Sequence, residues 1–170
     1  MKTLTEQLAQ YAGYHRDPRN VVTHFIGIPL IVIAITALLS RPQFALGGIV
    51  LSPALAAAVA ALVFYFRLDL GFGLIMTALM LPILWFGAWS ATLGTGAWLA
   101  IGLGCFIVGW AFQFIGHYWE GRKPAFVDDL VGLLIGPLFV VAEAMFLLGL
   151  RRDLQAEVEA RAGGMRSRRA

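Results

Sequence analysis

Three imidazoles and one carboxylate stand at the ends of apolar segments in this chain. His117 and Glu120 lie in Gln113-Phe114-Ile115-Gly116-His117-Tyr118-Trp119-Glu120-Gly121-Arg122-Lys123-Pro124-Ala125, and the other two histidines, His15 and His24, flank the start of the first apolar run. His117 and Glu120 are three residues apart and would share a helix face, with Gln113 one turn earlier. Such a pair can offer two ligands to one ion, as Glu-x-x-His pairs do in di-iron bundles, although the spacing alone is common. His15 and His24 are nine apart, which on one straight helix means roughly 180° of rotation and about 13 Å of rise. Pro18 lies between them and permits the bend that convergence requires. Asn20 is four residues before His24 and shares its face. Three imidazoles with a carboxylate suit Fe(II) or Zn(II) better than Mg or Ca. The competing reading makes each histidine an interfacial residue bonded to a backbone carbonyl or a lipid head group.

The elements that must position these groups are membrane helices. Of 170 residues, 59% are hydrophobic, and the mean hydropathy is +0.78. Several apolar runs approach the ~20 residues that cross a bilayer. They are continuous and do not alternate, which argues against a membrane β-barrel. The expected fold is all-α: a polytopic integral membrane helical bundle of four to six membrane helices plus a short N-terminal amphipathic helix. That short helix is expected over 3–16, capped by Thr3 or Thr5 and ended by Asp17-Pro18. Spans follow over 22–39, 44–66, 70–89 and 96–116, with a last apolar stretch over 126–150. Residues 1–150 form one membrane-embedded domain, and 151–170 form a basic, partly disordered tail. The first residues carry Lys2, Glu6, Arg16, Asp17 and Arg19 without an apolar core, so they do not read as a signal peptide. Cys105 sits within an apolar run and reads as a packing residue.

Charge supports an orientation. With the N-terminus in the cytoplasm and four spans, Lys2, Arg16, Arg19, Arg67, Arg122 and Lys123 fall inside and Arg41 outside, as the positive-inside rule requires. His15, His24, His117 and Glu120 then share one membrane face. Much of the net charge of +3 comes from Arg151, Arg152, Arg161, Arg166, Arg168 and Arg169. In a membrane protein that tail reads as an anchor on anionic lipid, not as a nucleic-acid site. A full crossing by 126–150 would send it outside. Gly136-Pro137 offers a break there, so this stretch is either a broken pair of short helices returning the tail or a kinked fifth span. Glu143 lies deep in it, where a carboxylate is expensive and often functional, or else a structural hydrogen-bonding group. Asp128 and Asp129 are either helix caps or groups behind a metal ligand. Arg122 and Lys123 could hold a substrate carboxylate or simply mark the inner face.

Tyr14-His15-x-x-Pro18-x-Asn20-x-x-x-His24-x-x-Gly27-x-Pro29 resembles the N-terminal motif of the 2-hydroxy fatty acid dioxygenase family. Gln113-x-x-Gly116-His117-x-x-x-Gly121-x-x-Pro124-Ala125, with Glu120 inside it, resembles that family's second motif. Gly136-Pro137-Leu138-Phe139-Val140 followed by Glu143 resembles its third. The resemblance runs in order over about 8–150. It implies an Fe(II)-dependent dioxygenase that uses O2 to shorten a long-chain 2-hydroxy fatty acid by one carbon in fatty acid α-oxidation. Its iron would be held by His15, His24 and His117, with Glu120 as a further ligand or catalytic group. From the residues themselves, Glu120, Arg122 and Glu143 are the expected catalytic groups, with Asn20, Gln113 and Asp128 behind the ligands. The resemblance implies the endoplasmic reticulum in a eukaryote; in a bacterium the inner (plasma) membrane is expected, and the charge count puts the metal site on the cytoplasmic side. Two readings compete: a small membrane transporter or lipid-binding protein without catalysis, and a zinc-dependent membrane hydrolase.

Overall fold

The structure, a computed structural model, describes residues 2–47, 49–124 and 131–164. Helices dominate it: α1 (Leu4–Ala12), α2 (Pro18–Ser40), α3 (Pro53–Leu68), α4 (Leu70–Ala91), α5 (Thr95–Glu120), α6 (Gly132–Leu147) and α7 (Arg152–Ala162). Strands β1 (Phe44–Leu46) and β2 (Ile49–Leu51) form a small antiparallel hairpin between α2 and α3. Among the described residues, α2, α4 and α5 are long and apolar enough to cross a membrane. The bent pair α6 and α7 makes a fourth if it counts as one span.

Several boundaries differ from those the sequence led us to expect, each for a local reason. Helix α1 ends at Ala12 instead of running to 16, and its last turn closes with Gly13 N–H donating to the Ala9 carbonyl. Asp17-Pro18 does not end α1. It opens α2, with Pro18 as its first residue, where a missing N–H costs nothing. The Asp17 carbonyl accepts from Asn20 N and Val21 N. The expected span over 44–66 is a hairpin followed by a 16-residue helix. Ser52 caps α3 by accepting from Leu55 N, and Pro53 begins it. In the last apolar stretch the break falls not at Gly136-Pro137 but between Leu147 and Arg152, where the axis turns by 118°. Gly149 (φ 74°) and Arg151 (φ 54°) adopt left-handed conformations there, and Pro137 stays within α6. The start of the basic tail is the ordered helix α7, while Asp128, Asp129 and Arg166, Arg168 and Arg169 lie outside the described residues.

The chain packs as two compact units, Met1–Ile28 with Ala111–Ala170, and Pro29–Trp110. In the second, α3 and α4 form a helical hairpin. Asp69 caps α4 by accepting from Phe72 N, and Tyr65 and Phe72 are buried. Gly87 lets α4 approach Thr36 and Ser40 of α2, and Trp98 Nε1 donates to the Ala37 carbonyl.

The first unit is built on α1. Thr3 and Glu6 form a reciprocal capping box at its start, and α1 packs on α6 and α7. Leu4, Leu8 and Tyr11 are buried from α1, with Leu154 and Val158 buried from α7. Thr5 Oγ1 donates to Glu157 Oε2 at 3.2 Å. Leu8 is 1% exposed, so Leu8→Ala should cost about 2–5 kcal/mol through lost burial and a residual cavity. A thermal melt in detergent is expected to shift down by several degrees, and an unchanged melt would refute this packing.

Candidate metal centre

All three histidines lie in the first unit and converge. One ring nitrogen from each of His15, His24 and His117 lies within 4.8 Å of the other two. His15 is carried by the link between α1 and α2, His24 by the second turn of α2, and His117 by the last turn of α5. His15 and His24 are each 1% exposed and His117 6% exposed. The rings meet edge to face, with centroids 4.3 Å apart for His15 and His24, 4.9 Å for His15 and His117, and 5.2 Å for His24 and His117.

The same local device orients two of the three. His15 Nδ1 donates to the Tyr11 carbonyl at 2.7 Å, and His24 Nδ1 donates to the Asn20 carbonyl at 2.8 Å. A carbonyl can only accept, so each Nδ1 carries the proton and each Nε2 presents a lone pair. Those two Nε2 atoms face each other at 2.9 Å. Two bare lone pairs at that distance repel unless a cation lies between them. Bonds of about 2.1 Å from a metal would hold two adjacent nitrogens about 3.0 Å apart at a right angle and about 3.4 Å apart at the tetrahedral angle. The backbone carbonyls behind them are the partners that metal-bound histidines usually have. Burial, and then the neighbouring His24, hold the His15 pKa well below the usual imidazole range, so His15 is neutral and able to bind a metal. The donor set therefore fits a transition metal such as Fe(II) or Zn(II).

Glu120 lies outside the histidine group. It is 3% exposed, and its Oε2 accepts from Arg16 N at 2.9 Å, Asp17 N at 2.7 Å and Asn20 Nδ2 at 3.2 Å. It thus clamps the end of α5 onto the positive N-terminal end of α2. Gly116 makes that approach possible, because a Cβ there would run into Thr23 Oγ1 and Asn20 Oδ1. Gly121 (φ 69°) ends α5 in a left-handed turn, its N–H donating to the His117 carbonyl at 3.0 Å.

The other expected site residues separate by position. Asn20 is fully buried and ties Glu120 to the turn. Gln113 is buried on α5, and its Nε2 has no hydrogen-bond partner among the described residues. Arg122 is exposed and donates through Nη1 to the Gly13 carbonyl at 2.8 Å, pinning the end of α1. Glu143 is half-buried on α6 and borders a cavity that also reaches His15. Asp128 is outside the described residues.

Sequence reasoning missed the aromatic walls. Tyr11 stacks on His15 with centroids 4.2 Å apart and planes 7° from parallel, and Phe139 lies 5.5 Å from His15 and 5.0 Å from Tyr11. Burial raises the Tyr11 hydroxyl pKa above the usual phenol range, so it stays neutral. The motif around Gly136 has a packing role: a Cβ at Gly136 would press on the Tyr11 hydroxyl at 3.0 Å and on Ile28 at 3.1 Å. The signal for Tyr11 was its place four residues before His15, and that for Phe139 was its place in the third motif.

A family model described as 2-hydroxy-palmitic acid dioxygenase Mpo1-like matches residues 1–148. The chain is 35% identical over 162 residues to the 2-hydroxy-palmitic acid dioxygenase MPO1 of Saccharomyces cerevisiae, covering 92% of this chain and 87% of that protein. No solved structure matches the chain.

Removing the clamp should loosen the turn that carries His15. Glu120→Ala leaves donors at Arg16, Asp17 and Asn20 without their acceptor, at about 1–3 kcal/mol for each buried group left unpaired. Amide hydrogen exchange at Arg16 and Asp17 is expected to accelerate. Exchange as slow as in the parent protein would show that the carboxylate does not hold the turn.

Proposed function

The chain belongs to the 2-hydroxy-palmitic acid dioxygenase Mpo1-like family, and from that premise we propose that it is an Fe(II)-dependent dioxygenase of long-chain 2-hydroxy fatty acids. The observation that carries this reading is the buried trio His15, His24 and His117 with the His15 and His24 lone pairs aimed at one point. Iron, when bound, supplies the activation of O2. The protein's own residues do the rest. The Tyr11 and Asn20 carbonyls fix two imidazoles in the ligating tautomer. Tyr11 and Phe139 wall the cluster and keep water from it. Glu120 and Asn20 hold the backbone that carries His15.

The reaction balances with the substrate alone. One 2-hydroxy acid and one O2 give the acid one carbon shorter, CO2 and water, so neither NADH nor 2-oxoglutarate is consumed. The C1–C2 bond breaks, C1 leaves as CO2, and C2 is oxidised from an alcohol to a carboxylic acid while O2 is reduced. Residues 1–150 act as one functional domain in this reading, which the family match over 1–148 supports. Lys2, Arg16, Arg19, Arg122 and Lys123 gather near the cluster in sequence, which supports a cytoplasmic face. The acid head then stays near water while the alkyl chain lies among apolar helices.

Purified protein loaded with Fe(II) and given 2-hydroxypalmitic acid under air is expected to yield pentadecanoic acid by mass spectrometry. Omitting O2 or substituting His117→Ala should abolish the product, and His24→Ala should also remove the bound iron by elemental analysis. Product formation that survives without O2 would sink the dioxygenase reading and favour a hydrolytic metal. Full iron content in both histidine variants would sink the ligand assignment.

A further inference from the structure

Beside the histidine cluster lies a cavity of about 190 Å³. Its walls come from three parts of the first unit. His15 and Arg16 line it from the link between α1 and α2, Glu143 and Leu147 from α6, and Gln155 and Glu159 from the inner face of α7. The 118° bend between α6 and α7 is what folds α7 over this space.

Two of these charged groups still have bonding capacity. Arg16 Nε and Nη2 donate to the Gly164 carbonyl at 3.1 and 2.9 Å, while Nη1 makes no hydrogen bond among the described residues. The guanidinium is therefore held in place with one edge to spare. Glu143 makes no hydrogen bond among the described residues either, while Glu159 accepts from Gln155 at 2.8 Å. Arg122, the arginine in the second motif, already serves the Gly13 carbonyl and does not border the cavity. At the other end the wall turns apolar. Leu147 and Leu148 are 79% and 76% exposed at the bend, where an apolar lip faces outward.

We propose that this cavity is the head-group chamber for the 2-hydroxy acid, with Arg16 taking the carboxylate, Glu143 accepting the hydroxyl hydrogen bond, and the alkyl chain leaving over Leu147 toward lipid. This rests on the proposed dioxygenase reading and adds the groups that recognise the substrate. An arginine with a free edge matches a carboxylate. A carboxylate close by discriminates between a 2-hydroxy acid and an unsubstituted one, because only the former brings a donor. Adjacency to His15 puts C1 and C2 of the bound acid next to the cluster.

Binding of 2-hydroxyoctanoate, octanoate and the 2-hydroxyoctanoate methyl ester to the purified full chain, followed by calorimetry, tests this without any turnover. Arg16→Gln should weaken the acid by about 10- to 100-fold and leave the ester unchanged, with Arg16→Lys recovering part of the loss. Glu143→Leu, which removes the acceptor, should narrow the preference for the 2-hydroxy acid over octanoate, and an unchanged preference would overturn the role of Glu143. Equal losses for acid and ester in Arg16→Gln would mean that the arginine only pins Gly164, and would overturn the proposal, as would an unchanged acid constant. Shortened acid from the parent protein with no dependence on Arg16 overturns the chamber and leaves the dioxygenase reading standing. Arg16-dependent selectivity in a protein that forms no shortened acid does the reverse.

Discussion

A single buried carboxylate oxygen organises the centre. Glu120 Oε2 gathers two backbone N–H groups and one side-chain amide from the turn that enters α2. A carboxylate taken out of water is costly unless donors surround it, and a turn that exposes successive N–H groups is equally unfavourable when buried without acceptors. Each need is met by the other, so the end of α5 has one seating on the start of α2. The histidines inherit that seating. His117 lies one turn before Glu120 on α5, and His15 immediately precedes the Arg16 amide. The missing side chain of Gly116 sets how closely the two helices approach.

Much of this could be read in the sequence, and the failures have physical causes. Apolar runs located α2, α4 and α5 well, because a membrane helix must be apolar over its whole length. The run over 44–51 misled for the same reason: Phe44-Ala45-Leu46 and Ile49-Val50-Leu51 are as apolar as a span, and only Ser52-Pro53 marks a fresh helix start. Gly136-Pro137 looked like the break in the last stretch, but proline alone does not reverse a chain. The reversal uses Gly149 and Arg151 in left-handed conformations. Histidine spacing gave the ligand candidates, since few apolar membrane segments can spare three imidazoles. Tyr11, Phe139 and Arg16 stayed hidden, because an aromatic among apolar residues looks like core and an arginine beside a helix end looks like an anchor.

Local and distant contacts share the work of the centre. Each of His15 and His24 is oriented by a carbonyl four residues earlier in its own stretch of chain, so the aim of those two rings rests on local contacts. The third ring, the carboxylate clamp and the aromatic wall come from far along the chain. Aiming is thus cheap and local, while assembly is global.

That separation along the chain has a consequence for how the protein is made. Arg16 and Glu120 are 104 residues apart. At a synthesis rate of about 5–20 residues per second, the entry to α2 waits roughly 5–20 s for its carboxylate. During that interval the Arg16 and Asp17 amides lack the acceptor that they have in the finished fold. The carboxylate and the third imidazole both lie on α5, so neither the turn nor the histidine trio can close until α5 has been made.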